Sequence, residues 1–311
     1  MFDKFALTDP VHRASYAGID SKRPELSQAG RTVVITGGSS GIGYGIATGF
    51  VAASVARIFI LGRRSDVLAS AAKQLTETDG FSGEVIGLQC DMMDAAAVDT
   101  LWDKFRAEGV VVDVLVLNAT GHVPLGPLLE LGTSAVWKVF DANVRAQLQM
   151  TERFYKQVGK GASETKNLVH VSSASIHEFV DFGDNYLAYG ASKQAGQSVL
   201  QMVAQDTPRE KMQIVSFHPG AIFTEAAKTT GWTEDSLPWD NVNLPGDFAV
   251  WAASPEASFL HGRFVWAAWD VDQLKSGKIR NYIEENRDFL RVGVNGLGEG
   301  DALKIKAHGN E

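Results

Sequence analysis

A single cysteine, Cys90, stands in a chain of 311 residues, so no internal disulfide can form. It lies in an apolar run and reads as an inert buried thiol of a reducing compartment, with the cytoplasm as the expected location. Positive charge is also short: 29 Lys and Arg against 37 Asp and Glu leave a net charge of -8 and a pI near 5.4. That balance excludes the broad basic patch needed to hold nucleic acid or an anionic membrane, and it suits a small-molecule ligand. No apolar run is long enough for a bilayer, and Asp3, Lys4 and Asp9 interrupt the start before a secretory signal could build up. The 7 histidines lack HExxH or any other metal-ligand spacing, so no metal is expected, and His218 reads as packed or substrate-facing. Internal repeats, low-complexity tracts and a Pro/Gly-rich linker are missing too, which predicts one domain over residues 1–311.

What is present is a regular alternation. RTVVIT, RIFIL, EVIGLQC, VDVLVLN, NLVHVSS, MQIVSFH and RFVWAA are short Val/Ile-rich runs that read as strands. Helical patterns over Ile42–Ser54, Asp66–Thr76, Ala95–Glu108, Ser134–Lys156 and Tyr189–Gln205 connect most of them. Such a βαβ series predicts an α/β, Rossmann-like, doubly wound sheet of seven parallel strands with helices on both faces. Around a core of about 31–267 lie a polar arm over 1–29, a long segment over Phe223–Asp247 suited to a substrate lid, and a tail over 270–311 with helical stretches.

The first strand runs directly into TGGSSGIG and a helix. In that setting Gly37 permits the sharp exit from the strand, Gly41 admits a pyrophosphate and Gly43 lets helix and sheet pack closely, with Ser39, Ser40 and Ile42 completing the turn. Helix N-terminal amides then face the phosphates. The absent Gly-Lys-Ser/Thr ending excludes a P-loop. At the end of the second strand an acid would bind the ribose hydroxyls of NAD, but Gly62 occupies that corner and Arg63 and Arg64 follow. A guanidinium there can pair with the 2′-phosphate of NADP, so NADP(H) is the expected cofactor.

Six ordered matches resemble the short-chain dehydrogenase/reductase family over about 31–267: TGGSSGIG, Asp91, Asn118-Ala119-Thr120, Asn143, Ser173, and Tyr189 with Lys193. The resemblance implies that Asp91, with Met92 beside it, contacts the adenine and that Asn118 and Ala119 hold a turn against the cofactor. That turn, in which Thr120 replaces the family's usual glycine, also accounts for the apparent glycosylation triplet. By the same resemblance Pro219, Gly220, Ile222 and Thr224 of HPGAIFT line the nicotinamide. A looser similarity, through the long lid and the aromatic RFVWAAWDVDQL, is to fungal reductases of secondary metabolism. Family members usually associate through their two long helices, so a homodimer or homotetramer is expected.

Tyr189 and Lys193, at i and i+4, share one helix face. A phenol is a poor base near neutrality, and a neighbouring ammonium is expected to lower its pKa. Tyr189 could then exchange a proton with a carbonyl or alcohol oxygen as hydride moves, Ser173 hydrogen-bonding that oxygen and Asn143 holding a water that links Lys193 to solvent. The implied reaction interconverts a ketone and a secondary alcohol; Trp232 and Trp239 in the lid favour an apolar or aromatic substrate unless they merely anchor the loop. Taken singly, Tyr189 is an ordinary half-buried aromatic and Lys193 a solvated face. Ser172, Ser173 and Ser175 crowd one strand end, and the gap to Tyr189 is longer than the family's usual one, so an insertion is expected between Ile176 and Leu187. Tyr186 sits at the customary distance but has Gly190 where the lysine is needed. His177, Glu178 and Phe179 are placed at the surface or against substrate. Isomerisation or imine reduction on the same fold, and a cofactor-binding regulator without turnover, are the alternatives.

Overall fold

A computed structural model describes residues 5–158, 165–177 and 186–294; Glu178, Phe179 and the rest of 178–185, within the loop from Ile176 to Leu187 where an insertion is expected, lie outside the described residues. The elements run β1 (Thr32–Thr36), α1 (Gly41–Ala52), β2 (Arg57–Gly62), α2 (Ser65–Thr76), β3 (Glu84–Gln89), α3 (Ala95–Ala107) and β4 (Val114–Leu117). There follow α4 (Leu128–Phe140), a π-helical turn over Asp141–Arg145, α5 (Ala146–Lys156), β5 (Lys166–Val171), α6 (Leu187–Asp206) and β6 (Met212–His218). The chain continues with α7 (Glu225–Thr229), α8 (Asn243–Ala252), β7 (Arg263–Trp266), α9 (Val271–Lys275) and α10 (Gly277–Glu285).

All seven strands form one sheet in the order β3-β2-β1-β4-β5-β6-β7, and every pairing is parallel. Val34, for instance, stands between Phe59 of β2 and Leu115 of β4. Both faces are covered, which is why the strands are apolar without alternation. One apolar layer joins α1, α2 and α8 to the sheet and the other joins α3, α5 and α6. The strand order reverses between β1 and β4, and an open α/β sheet leaves a crevice at that point above the strand C-termini.

One segment differs from expectation. The predicted lid ends where α8 begins, because Leu244, Phe248 and Trp251 are fully buried. Burying such side chains contributes about 2–3 kcal/mol each. A side chain at Gly49 of α1 would meet the carbonyl of Gly246 at 2.7 Å, so the two helices touch backbone to backbone. The N-terminal arm is anchored on the domain: Ile19 and Leu26 are 0% exposed, Val11 bridges to Trp269, and Ser15 and Ser21 both hydrogen-bond Asp247. Cys90 is buried, and burial followed by the charges of Asp91 and Asp94 pushes its thiol up to about 11, which keeps it unreactive. Among the described residues, no helix is long and apolar enough to cross a membrane.

Candidate active site

The crevice between β1 and β4 is built first from backbone. Gly37 leaves β1 with φ +66°, and a Cβ on Gly43 would lie 2.1 Å from the Gly37 carbonyl oxygen and 2.6 Å from Asn118 Nδ2. Only hydrogen fits there, so strand, turn and α1 lock together. Asn118 Nδ2 donates to the carbonyls of Thr36 (3.0 Å) and Gly37 (3.2 Å), while the amides of Asn118 and Ala119 donate to Thr36 Oγ1. The turn after β4 is thereby fastened to the glycine turn.

Two features test whether a dinucleotide suits this cradle. No side chain caps α1 at Ser40, and its first turn carries no acid, so its amides and the positive end of its dipole are left for an anion. Across the gap, a Cβ on Gly41 would stand 3.2 Å from Thr224 Cγ2, so the glycine turn and the segment after β6 face each other. Arg63 and Arg64 are exposed at the end of β2, and Asp66, in the first turn of α2, lines the recess beside Ser39 and Ser40. Asp91 follows β3 and accepts from the Met93 amide at 3.0 Å, with Met92 half-buried between them. These residues fit a nicotinamide dinucleotide laid across the strand ends.

The turn carrying Pro219, Gly220 and Ile222 has a support that sequence reasoning missed. Asp240 Oδ2 accepts from the Ala221 amide at 2.8 Å, its own amide donates to the Ala221 carbonyl at 2.7 Å, and Arg13 Nε meets its carboxylate at 3.0 Å. An arm residue therefore holds this turn through a single carboxylate. Nothing in the local sequence signals a pairing across so many residues.

On the opposite wall, α6 brings Tyr189 and Lys193 beside the end of β5. Of the three serines it is Ser173 that stands close enough to favour the Tyr189 phenolate. Ser173 Oγ accepts from the Ser175 amide (3.2 Å) and from Ser175 Oγ (3.0 Å), which leaves its own hydrogen for the phenol or a substrate oxygen. The short 3-10 turn that follows is pinned by His218, whose Nδ1 accepts from the Ala174 amide at 3.1 Å. Burial, then the charge of His177, lowers the His218 pKa to about 3, so this is a neutral packing histidine. His177 packs edge-on to Phe5 and accepts from the Trp266 indole at 3.1 Å.

Lys193 is 2% exposed and donates to the Val171 carbonyl at 2.9 Å, with Nζ 5.8 Å from the Tyr189 ring centroid. Burial alone lowers its pKa to about 8. The expectation that the ammonium depresses the phenol pKa is corrected here: burial pushes Tyr189 up to about 12, only partly offset by Ser173 and augmented by Tyr186. Desolvation of the phenolate outweighs a cation whose Nζ stands 5.8 Å from the ring centroid. In the protein alone Tyr189 is thus a protonated donor.

Asn143 sits in the π-helical turn and is 0% exposed. Its Oδ1 accepts from Thr120 Oγ1 and its Nδ2 donates to Ser192 Oγ, each at 2.9 Å, and Ser192 in turn donates to the Tyr189 carbonyl at 2.8 Å. Thr120, which stands where the family has glycine, therefore anchors Asn143. A Cβ on Gly196 would lie 2.3 Å from the Asn143 carbonyl oxygen, so the π-helical turn also sets how closely α6 approaches.

Tyr186 is not idle. Its hydroxyl accepts from the Trp232 indole at 2.9 Å, tying the segment after α7 to the turn before Tyr189. Trp239 instead donates to the carbonyls of Thr233 and Glu234 within its own loop, and it packs on Phe223 at 5.1 Å. Trp232 thus ties its segment to the start of α6, and Trp239 anchors its own loop.

Comparison with known proteins agrees with this geometry. Residues 31–235 match the family model described as short chain dehydrogenase. A short chain dehydrogenase/reductase of Claviceps purpurea is 37% identical over 292 residues, covering 92% of this chain and 94% of that protein. The short chain dehydrogenase/reductase AacuD of Aspergillus aculeatus is 34% identical over 287 residues, covering 92% and 96%. Among solved structures, the Pseudomonas aeruginosa RhlG/NADP active-site complex superposes with a TM-score of 0.70 at 22% identity, over 78% of this chain and 97% of that one. A short-chain type dehydrogenase/reductase from Mycobacterium ulcerans does so with a TM-score of 0.68 at 27% identity, over 77% and 89%.

Proposed function

The chain belongs to the short chain dehydrogenase family, and on that premise we propose that it uses NADP(H) to interconvert a ketone and a secondary alcohol, reducing an apolar or aromatic carbonyl compound. The observation that carries the reading is the joining of Ser173, Tyr189 and Lys193 at one wall of the glycine-turn crevice. When bound, the nicotinamide supplies the hydride. The chain supplies the proton: Tyr189 O–H gives it to the carbonyl oxygen while Ser173 hydrogen-bonds the same atom. A phenol held near 12 is protonated throughout the working range, which suits the reductive direction. Lys193, near 8, carries its positive charge at neutral pH and stabilises the phenolate left behind.

Asn143 serves this path by position, setting the depth of α6 through Gly196 and the Tyr189 backbone through Ser192. NADP rather than NAD is favoured by Gly62 where an acid would stand and by the exposed guanidinium of Arg63. Asp66 lies in the first turn of α2, where the helix dipole already balances its charge. Exposed Leu148 on α5 and Met202 on α6, 41% and 51% accessible, support pairing through those helices into a homodimer. NADPH consumption against a panel of ketones and quinones, with product identification, tests the proposal; no consumption with any member, or transformation without net redox change, overturns it.

A further inference from the structure

A second cavity, of about 380 Å³, lies on the other side of the Ser173 turn, between the N-terminal arm and the segment after α10. Neither the glycine turn nor Tyr189 or Lys193 contributes to it. It shares a wall with the site through Ile176 and Gln194, which is one residue round α6 from Lys193 and donates to the Ile176 carbonyl. Its volume is in the range of small-molecule pockets. Leu7, Phe264, Trp269, Phe289 and Val292 make most of the described lining apolar and aromatic, and among the described lining residues Arg291 is the guanidinium.

Arg291 is poorly satisfied where it stands. Its Nε is buried and has no hydrogen-bond partner, and among the described residues it makes no ion pair. Its surroundings are cationic: Arg263, Arg280 and Arg287 are close enough to repel one another or Arg291, and Arg280 is already occupied by Glu284 at 2.6 Å. Arg263 spends its donors on the carbonyls of Phe289, Phe259 and Ile283. Asp288 is the carboxylate that partly offsets the charge on Arg291. The terminal nitrogens of Arg291, which have no hydrogen bond or ion pair among the described residues, are the donors an incoming anion would meet from the cavity.

We propose that this cavity binds an apolar carboxylate, its chain or ring among the aromatic side chains and its carboxylate on the Arg291 guanidinium. The tail segment is well placed to form such a pocket, because the Phe264 amide donates to the Leu290 carbonyl at 2.8 Å and Gln201 exchanges hydrogen bonds with both backbone groups of Val292. The pocket therefore has a fixed wall.

The test uses the full chain without cofactor, titrated calorimetrically with decanoate and with decanol as the uncharged control. Decanoate is expected to bind with one-to-one stoichiometry and at least about tenfold more tightly than decanol. Arg291→Gln should weaken decanoate about tenfold or more and leave decanol unchanged. Ala6→Trp, at an exposed position lining the cavity, should abolish binding of both by filling it. Equal affinity for decanoate and decanol, an Arg291→Gln protein that binds decanoate as the wild type does, unimpaired binding by Ala6→Trp, or no binding at all would each overturn the proposal. Unchanged NADPH affinity in both variants separates this pocket from the crevice.

Discussion

Replacing Lys193 by Met should make the cofactor-free protein more stable at neutral pH while removing its activity. In the folded chain burial lowers the ammonium from 10.5 to about 8. At pH 7 the lysine is charged in both states, so folding bears the full cost of desolvating it, about 3 kcal/mol. Methionine carries no charge and nearly fills the same space; what it loses is the hydrogen bond to the Val171 carbonyl, about 1 kcal/mol. The net gain is about 2 kcal/mol at pH 7, a Tm rise of roughly 4 °C. The sign then changes with pH. Between 8 and 10.5 the unfolded chain holds a proton the folded one has shed, so wild-type stability rises through that window and falls as pH drops through the folded value. By pH 10 the advantage of the variant should be gone. Urea unfolding of both proteins at pH 7 and pH 10, followed by circular dichroism, measures the difference directly. A variant less stable than wild type at pH 7, or a stability difference that does not move with pH, would refute the argument that the lysine is held buried at a cost for the sake of its chemistry.

Arg63→Ala should weaken NADPH binding by about 2 kcal/mol, the loss of a charge-assisted contact to a phosphate, and leave NADH nearly unchanged. Equal effects on the two dissociation constants, measured by fluorescence titration, would dismiss Arg63 as the 2′-phosphate partner. Trp232→Phe keeps an aromatic ring in the lid but deletes the indole donor to Tyr186. It should raise KM severalfold with little change in kcat, since the contact holds the lid and not the reacting atoms; a fall in kcat alone would place Trp232 in the chemistry instead.

All seven strands were legible because burial on both faces leaves each one a continuous apolar run between helical patterns. The glycine turn was legible for a steric reason: positions such as Gly43 tolerate no side chain. α8 was not, because Asn243–Ala252 is buried on nearly every side and so shows no amphipathic period, while Pro245 suggests a loop. The sequence also placed Tyr189 and Lys193 on one helix face without revealing their protonation. That depends on how deeply each group is desolvated, and the outcome ran opposite to the expected depression of the phenol. Asp240 and Arg13 were invisible for a simpler reason: they lie far apart in the chain and meet only in the folded protein.

The measurement closest to the central claim is turnover by Tyr189→Phe on a ketone that the wild type reduces, alongside its NADPH dissociation constant. The change deletes one hydroxyl and keeps the ring, so the fold and the cofactor cradle are preserved. Loss of the proton donor should lower kcat by about 10²- to 10⁴-fold with NADPH affinity unchanged. Turnover by Tyr189→Phe at near the wild-type rate would contradict the assignment of Tyr189 as the group that protonates the substrate.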